Sequence, residues 1–279
     1  MRYRGRYSRW HSRARWFSVV LLLGAWAAGT AAAQQPAERD HFQLRIGAVY
    51  DQGDFGSDEL SRALFVPFTL RYLGDRFDLG VTPSFALVDT AGGIRLVDGV
   101  PTPTGEARGI RDTLSGRGDT IVRARYYLVN DVGPESPVPS VTPFLKLKLP
   151  TAQDDLHLGT GKTDYGVGIE WDKQFRPVFL FGDVHYTVIG KVAGLGLRNR
   201  PGASFGLGRR ISETVTASGL LDWRRSIVTG NDDLAELVGV VTFRMSPAVS
   251  LSPHAFVGLT HGTSDFGGGF ELVYRFGRY

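Results

Sequence analysis

Pairs of polar side chains in the second half of the chain have spacings that could support catalysis. Ser252 and His254 are two residues apart, as a nucleophile and its base would be on one face of a strand, and Asp183 stands two residues from His185. A serine hydrolase needs its serine within hydrogen-bond reach of a histidine that a third group orients. Ser252 and His254 meet that pattern only loosely, so we interpret them as the polar face of a strand and expect no catalytic residue.

The glycine-rich run from Gly159 to Thr163 resembles part of a nucleotide-binding loop. Such a loop places a glycine five residues before its Gly-Lys pair, and that position here holds Leu156. An alternating strand pattern follows the run instead of a helix, so we interpret it as a turn between two strands. Paired acids at 154–155 and 232–233 could bind Ca²⁺, but loop acids are more often solvated. We therefore expect no metal and no cofactor.

The elements that position these residues are short segments in which apolar and polar side chains alternate. Phe42 and Leu44 fall on one face of the first segment, and Gln43 and Arg45 fall on the other. A membrane-spanning strand needs about 9–11 residues of this kind, with its apolar face toward lipid. The pattern predicts an all-β fold, a transmembrane antiparallel up-and-down β-barrel of about 12 strands. The segments span residues 41–51, 61–73, 76–88, 119–129, 140–149, 163–173, 177–189, 202–210, 213–225, 234–245, 248–259 and 265–276.

The connections between these segments alternate in length. Outer-membrane barrels carry long outer loops and short inner turns, whereas a globular β-sandwich has no reason to alternate in this way. Pro67, Pro83 and Pro253 fall inside proposed strands, where they predict bulges or shifted boundaries. With a periplasmic N-terminus, the outer connections are 52–60, 89–118, 150–162, 190–201, 226–233 and 260–264, and the inner ones are 74–75, 130–139, 174–176, 211–212 and 246–247.

Charged side chains occupy the polar faces of the segments. A charge that faces lipid at the bilayer midplane costs about 2–4 kcal/mol, so these side chains should face the lumen or the rims. Basic residues on the fourth and fifth segments stand beside acidic residues on the sixth and seventh. They could line a selective constriction, or they could pair along the wall and only stiffen the barrel. The candidate lumen-lining residues are Arg71, Asp78, Arg123, Arg125, Lys146, Lys148, Glu170, Asp172, Asp183, His185, Asp222, Arg224, Glu236 and Arg244.

The N-terminal segment has the three regions of a signal peptide. Residues 1–16 hold six arginines and no acid, an apolar run follows from Phe17 to Gly29, and small residues stand at 31–33. We predict a signal peptide at 1–33, a linker at 34–40 and the barrel at 41–279. The mature chain would then hold 26 basic and 28 acidic residues, so the basic pI gives no reason to expect nucleic acid. The absence of Cys excludes disulfides, thiolate metal sites and lipidation.

Two stretches of the chain resemble one known family. The fifth segment ends in Lys-Leu-Pro-Thr at 148–151, and an acidic loop leads to Leu-Gly-Thr-Gly at 158–161 and Asp-Tyr at 164–165. Gly-Arg-Gly-Asp-Thr at 116–120 opens the preceding strand. These motifs resemble the outer-membrane transporter family named for the meta-pathway of phenol degradation. Ala152 departs from the glycine expected after Pro-Thr, which affects the shape of that turn.

The resemblance implies uptake of aromatic or other hydrophobic compounds. We predict a non-enzymatic channel or transporter in the bacterial outer membrane, which passes small molecules, hydrophobic or aromatic ones among them, through a narrow charged lumen. A barrel enzyme that acts on lipids and a non-conducting structural barrel are the alternatives. The expected partners are membrane lipid, a small-molecule solute and the barrel-assembly machinery. That machinery would recognise the alternating C-terminal run Phe270, Leu272, Tyr274 and Phe276.

Overall fold

The computed structural model describes residues 41–53, 60–90, 94–97, 100–103, 112–153 and 158–277. The predicted signal peptide at 1–33 and linker at 34–40 lie outside these residues, as does the acidic pair at 154–155. No helix within the described ranges is long and apolar enough to cross a membrane.

The described residues form antiparallel β-strands whose side chains alternate in exposure, as the sequence pattern predicts. The strands are β1 (His41–Gly53), β2 (Ser61–Leu73), β3 (Phe77–Thr82), β4 (Ser84–Thr90), β5 (Ile94–Val97), β6 (Val100–Pro103), β7 (Asp112–Arg117), β8 (Thr120–Tyr126), β9 (Ser140–Leu149), β10 (Asp164–Gln174), β11 (Val178–Val188), β12 (Arg200–Arg210), β13 (Val215–Arg224), β14 (Leu234–Arg244), β15 (Val249–Gly258) and β16 (Phe266–Gly277).

These strands build a closed barrel wall of 12 strands, which confirms the predicted fold class. The first strand, β1, pairs with β2 on one side and with β16 on the other, so the sheet has no free edge. Two wall strands are interrupted. Both β3 and β4 pair with β2, and across the next seam β3 pairs with β8 while β4 pairs with β7. The β5–β6 hairpin is separate from the wall.

Apolar side chains cover the outside of the barrel. On β1, Phe42 and Leu44 are exposed, whereas Gln43 and Arg45, which alternate with them, are buried in the interior. This polarity is the reverse of a soluble globular β-sheet, in which the apolar face would be buried. An outward apolar band suits a hydrocarbon solvent. The band includes Phe68, Leu70, Phe77, Leu79, Phe85, Leu145, Tyr165, Val167, Val184, Phe205, Leu207, Leu221, Leu237, Phe266, Phe270 and Tyr274.

The fourth wall strand starts earlier than the pattern predicts. The prediction was 119–129, but β7 already pairs with β4 from Asp112, and β8 ends at Tyr126. The predicted connection 89–118 is therefore wrong at both ends, since wall pairing continues to Thr90 and resumes at Asp112. Glycines at 116 and 118 interrupt the alternation of apolar and polar residues, so the sequence pattern does not reveal this part of the strand. Pro83 separates β3 from β4, so the strand is interrupted where a bulge or a shifted boundary was predicted.

On the barrel rim that carries the short turns, one connection is long. The connection from 127 to 139 is fixed by Asp131, which accepts hydrogen bonds from Lys173 Nζ at 2.7 Å and from the backbone N–H groups of Gln174 and Gly133 at 2.9 Å. Burial raises the pKa of Asp131, but these hydrogen bonds lower it by more, so its pKa lies below the usual value. The turn is thus tied to the end of β10.

Candidate solute path through the barrel interior

Thirteen of the fourteen predicted lumen residues are buried or partly buried in the structure. Arg71, Asp78, Arg125, Lys148, Asp183, Asp222, Arg224 and Glu236 are buried. Arg123, Lys146, Glu170, Asp172 and His185 are partly exposed to the interior. Arg244 is exposed at the end of β14, and it takes no part in the ion-pair clusters described below.

Arg125 is the centre of an ion-pair network on β2, β3, β8 and β10. Its Nη1 lies 3.3 Å from Asp78 Oδ1, and its Nε donates to Glu170 Oε2 at 2.9 Å. Asp78 also pairs with Arg71 and accepts from the Tyr127 hydroxyl at 2.8 Å. These contacts join neighbouring or next-neighbouring strands. The network therefore follows the wall and does not bridge the lumen.

A further ion pair closes the barrel at the seam between its first and last strands. Arg45 of β1 donates through Nη2 to Glu271 Oε1 at 2.6 Å and through Nε to Glu271 Oε2 at 3.1 Å. Both residues stand on the polar face of their strands, but neither was among the predicted lumen residues. Their proximity follows from the β1–β16 register, which pairs Arg45 with Val273 and Gly47 with Glu271. The only sequence signal for the pair was opposite charge on the two terminal strands.

A cavity on this side of the wall is lined mainly by cationic side chains. Thr69, Thr82, Gly80 and Ile121 complete its lining. The Arg123 guanidinium lies 4.8 Å from the centre of the Phe144 ring, and its Nη1 is 3.4 Å from Glu170 Oε1. We call this space the basic cavity; its cationic residues are Arg45, Arg71, Arg123, Arg125 and Lys146.

The other side of the interior holds a cluster of buried apolar side chains. Phe179 and Phe181 of β11 have ring centres 5.8 Å apart. The tips of their rings lie over glycines of β12, since a Cβ at Gly206 would clash with Phe181 Cζ and a Cβ at Gly208 would clash with Phe179 Cζ. The rings thus cover the wall and do not project across the lumen. We call this group of buried side chains the apolar lining; it consists of Val49, Phe179, Phe181, Leu220, Val238, Val240 and Phe256.

The two surfaces lie on opposite arcs of the barrel. The residues of the basic cavity come from β1, β2, β3, β8 and β9, which are consecutive neighbours in the wall. The other segments of the two interrupted strands, β4 and β7, contribute no residue to it. The apolar lining is centred on β11 to β15 and meets the first surface at β1. In a closed wall of 12 strands, arcs at these positions face each other across the lumen.

The long connection from 150 to 163, here called the anchored loop, is fastened to the wall by Lys148. Lys148 Nζ lies 2.9 Å from Asp164 Oδ2 and 3.0 Å from Asp119 Oδ2, and it donates to Thr160 Oγ1 at 3.0 Å. The Lys148 side chain is only 1% exposed. Farther along the loop, Leu158 is buried against an inward apolar patch of Ala63, Phe65, Ala86 and Val88.

The two sequence stretches that carried the family resemblance contact each other in the anchored loop. The backbone N–H of Gln153 donates to the carbonyl of Arg117 at 3.1 Å, and that of Ala152 donates to Asp119 Oδ1 at 3.2 Å. A Cβ at Gly116 would stand 2.1 Å from Gln153 Oε1, so the glycine allows this close approach. The motifs therefore build a loop attachment. The run at 159–163 leads directly into β10, as the strand interpretation predicts.

The polar pairs that could support catalysis have other partners. His185 Nδ1 lies 2.6 Å from Asp183 Oδ2, but Ser204 bonds to the same carboxylate and not to the histidine. A serine nucleophile requires the opposite order, with the histidine in the middle. Ser252 Oγ is 2.9 Å from Thr242 Oγ1. Among the described residues, no group of three or more His, Asp or Glu side chains could hold a metal ion.

Asp222, Arg224 and Glu236 form a separate buried group on β13 and β14. Arg224 lies between the two acids, with Nε 2.6 Å from Asp222 Oδ2 and Nη2 3.5 Å from Glu236 Oε2. All three side chains are at most 7% exposed. The pairing offsets part of the cost of burying charge, so the three side chains belong together in the wall on the apolar side of the barrel.

Solved structures with the same fold are bacterial outer-membrane proteins. The COG4313 outer membrane channel from Pseudomonas putida F1 superimposes with a TM-score of 0.64 at 14% identity, covering 88% of this chain and 100% of that one. The transport unit of the autotransporter AIDA-I from Escherichia coli gives a TM-score of 0.54 at 10% identity, covering 91% and 98%. No protein-family model and no curated protein sequence matches the chain. These likenesses establish the fold, a transmembrane β-barrel of the outer-membrane type.

Proposed function

We propose that the protein is a non-enzymatic outer-membrane channel that lets small molecules pass through a narrow lumen. The observation that carries the proposal is the division of the interior into a basic cavity and an apolar lining on opposite arcs. In small barrels with a completely filled interior, side chains from opposite parts of the wall pack against each other. Here the ion pairs and the aromatic rings follow the wall, an arrangement that supports a narrow path between the two arcs.

The non-conducting structural barrel is the alternative that the ion pairs themselves favour. Arg71, Asp78, Arg125 and Glu170 form a connected network that would stiffen a closed wall equally well. The lipid-enzyme alternative has less support, because Ser252 and His254 stand on the inner face of β15, away from membrane lipid. The substrate link to phenol degradation rests on the motif resemblance alone.

Planar-bilayer recording separates these possibilities. The mature protein, refolded in detergent, should migrate faster unheated than boiled on SDS gels, because closed barrels resist unfolding. Material that passes this check should produce discrete conductance steps in a lipid bilayer. Folded, inserted protein that leaves the membrane silent would contradict the channel and leave the structural barrel. Hydrolysis of bilayer phospholipid that stops in a Ser252→Ala variant would instead support the enzyme.

The orientation is part of the proposal. The rim with the longer connections should face the cell exterior, and the rim with the short turns should face the periplasm. An epitope inserted near Gly105 should be labelled on intact cells, whereas one inserted at Gly74-Asp75 should be labelled only after the outer membrane is opened. The reverse labelling would invert the assigned orientation, and a soluble periplasmic product would contradict the localisation.

A further inference from the structure

We propose that four arginines on the rim with the short turns bind the phosphate groups of anionic phospholipids in the periplasmic leaflet of the outer membrane. The inference goes beyond the passage of a solute, and it rests on the orientation given with the proposed function. It follows from a pattern that four of the five inner turns share. We call these residues the rim arginines; they are Arg76, Arg176, Arg210 and Arg244.

Each rim arginine is directly next to a large apolar residue in the chain, and both residues are exposed. The apolar members are between 51% and 67% exposed. Contact with water is unfavourable for such side chains, whereas the boundary between acyl chains and head groups accommodates an apolar side chain beside a cation. The pairs are Arg76 with Phe77, Phe175 with Arg176, Arg210 with Ile211, and Arg244 with Met245.

The apolar members lie toward the lipid-facing side of the barrel. Phe77 is the exposed first residue of β3 and belongs to the outward apolar band. Ile211 and Met245 directly follow β12 and β14, two positions after the exposed outward residues Arg209 and Phe243. Positions two apart share a face in an extended chain. The pairs are therefore placed where the hydrocarbon of the membrane ends.

The exposed cations toward the other rim lack this pattern. Their neighbours in the chain are glycine, alanine, serine or threonine, apart from the partly buried Val192 beside Lys191. A need for surface charge alone would not place large apolar neighbours at one rim only. The contrast therefore favours a ligand that combines a charged and an apolar part. Within the described ranges, the exposed cations toward the other rim are Arg62, Arg117, Lys162 and Lys191.

Acidic side chains on the same rim offset the arginines only in part. Arg209 adds a fifth exposed cation, and the exposed acids among the described residues of this rim are Asp75, Glu135 and Glu213. Asp131 is paired with Lys173. A guanidinium group presents planar, paired N–H donors that match two oxygens of a phosphate. An anionic phospholipid keeps the charge of that phosphate, whereas the ammonium group of a zwitterionic one cancels it.

The experiment uses the refolded full-length mature barrel in phosphatidylcholine bilayers at low salt. Trace amounts of spin-labelled phosphatidylglycerol or spin-labelled phosphatidylcholine report the fraction of each lipid that is immobilised next to the protein. Phosphatidylglycerol should associate about threefold more strongly than phosphatidylcholine. At about 1 M sodium chloride, where the Debye length is about 3 Å, the ratio should fall toward one.

Two variants with the same loss of charge locate the binding surface. The rim variant should bring the ratio close to one, because the phosphate loses its guanidinium donors. The control variant, which changes the other rim, should keep most of the preference. The rim variant carries Arg76→Gln, Arg176→Gln, Arg210→Gln and Arg244→Gln, and the control variant carries Arg62→Gln, Arg117→Gln, Lys162→Gln and Lys191→Gln.

The outcomes separate lipid binding from the channel itself. Equal association of the two lipids with the wild type, an unchanged ratio in the rim variant, or an equal loss in the control variant would overturn the inference. If the rim variant loses its heat-dependent gel shift, Arg176→Gln with Arg244→Gln carries the test and should still lower the ratio. A barrel that prefers phosphatidylglycerol but does not conduct would overturn the proposed function and support this inference.

Discussion

The two arcs of the barrel interior are stabilised by different means. Around the basic cavity, buried charges are matched by charges on nearby strands, as in Arg125 with Asp78 and Glu170. Around the apolar lining, aromatic rings lie over glycines of the next strand, as Phe181 does over Gly206. In both cases the contacts run along the wall. The comparison teaches that a barrel can satisfy its interior side chains through contacts between nearby strands of its wall.

The two arcs should respond differently to substitution. A buried charge that loses its partner is costly because the remaining charge cannot return to water. A ring that is crowded by a methyl group added to the neighbouring glycine can move toward the interior. This movement relieves part of the strain but narrows the proposed path. Changes on the charged arc should therefore lower stability, whereas changes on the apolar arc should lower conductance.

The largest effect is expected at Lys148, where the charged arc reaches the anchored loop. Lys148→Met would leave Asp119 and Asp164 buried and close together, and breaking such a pair typically costs about 3–5 kcal/mol. The temperature at which the unheated gel band is lost should fall markedly. Lys162→Met, an exposed change on the same loop, is the control. A variant that also carries Asp119→Asn and Asp164→Asn should recover much of the loss, and an unchanged Lys148→Met barrel would refute the anchor.

A moderate effect is expected at Gly206 on the apolar arc. The added methyl of Gly206→Ala would meet the Phe181 ring, and overpacking of this kind costs about 1–3 kcal/mol. Single-channel conductance should fall because the ring is displaced from the wall. Adding Phe181→Ala should restore it. Gly239→Ala has no atom within 4 Å of the new methyl and serves as the control. Reduced conductance that persists without the ring would argue against wall-covering aromatics.

The smallest effect is expected outside both arcs, at the Asp131 turn. Asp131→Asn should cost about 1 kcal/mol at neutral pH, because hydrogen bonds to a charged group become neutral ones. Since the pKa of Asp131 is lowered in the folded state, its contribution is complete above the unfolded value of about 3.9 and is lost as the pH falls through the folded pKa. The heat-shift temperatures of the wild type and the variant should therefore converge in strong acid. A constant difference at all pH values would contradict this assignment.

The fold was largely predictable because alternation is a local property of the sequence. The segment at 61–73 was predicted with the bounds of β2, and the missed start of β7 lies where Gly116 and Gly118 interrupt the apolar pattern. Partners were harder to predict. Arg45 and Glu271 meet only because the first and last strands close the barrel, and closure register is not encoded near either residue. Likewise, alternation placed Lys148 inside but could not indicate that a returning loop would bury it.

The central claim is that the basic cavity and the apolar lining border one water-filled path. The chain has no Cys, so single cysteines provide an unambiguous test. Thr82→Cys lies in the basic cavity, Val240→Cys lies in the apolar lining, and Leu79→Cys points outward from β3 as the control. A charged, membrane-impermeant methanethiosulfonate reagent should react at positions 82 and 240 during a planar-bilayer recording and reduce the current at both, while position 79 gives no response. Current that is unaffected at positions 82 and 240, with the barrel conducting, would place the path elsewhere and contradict the account.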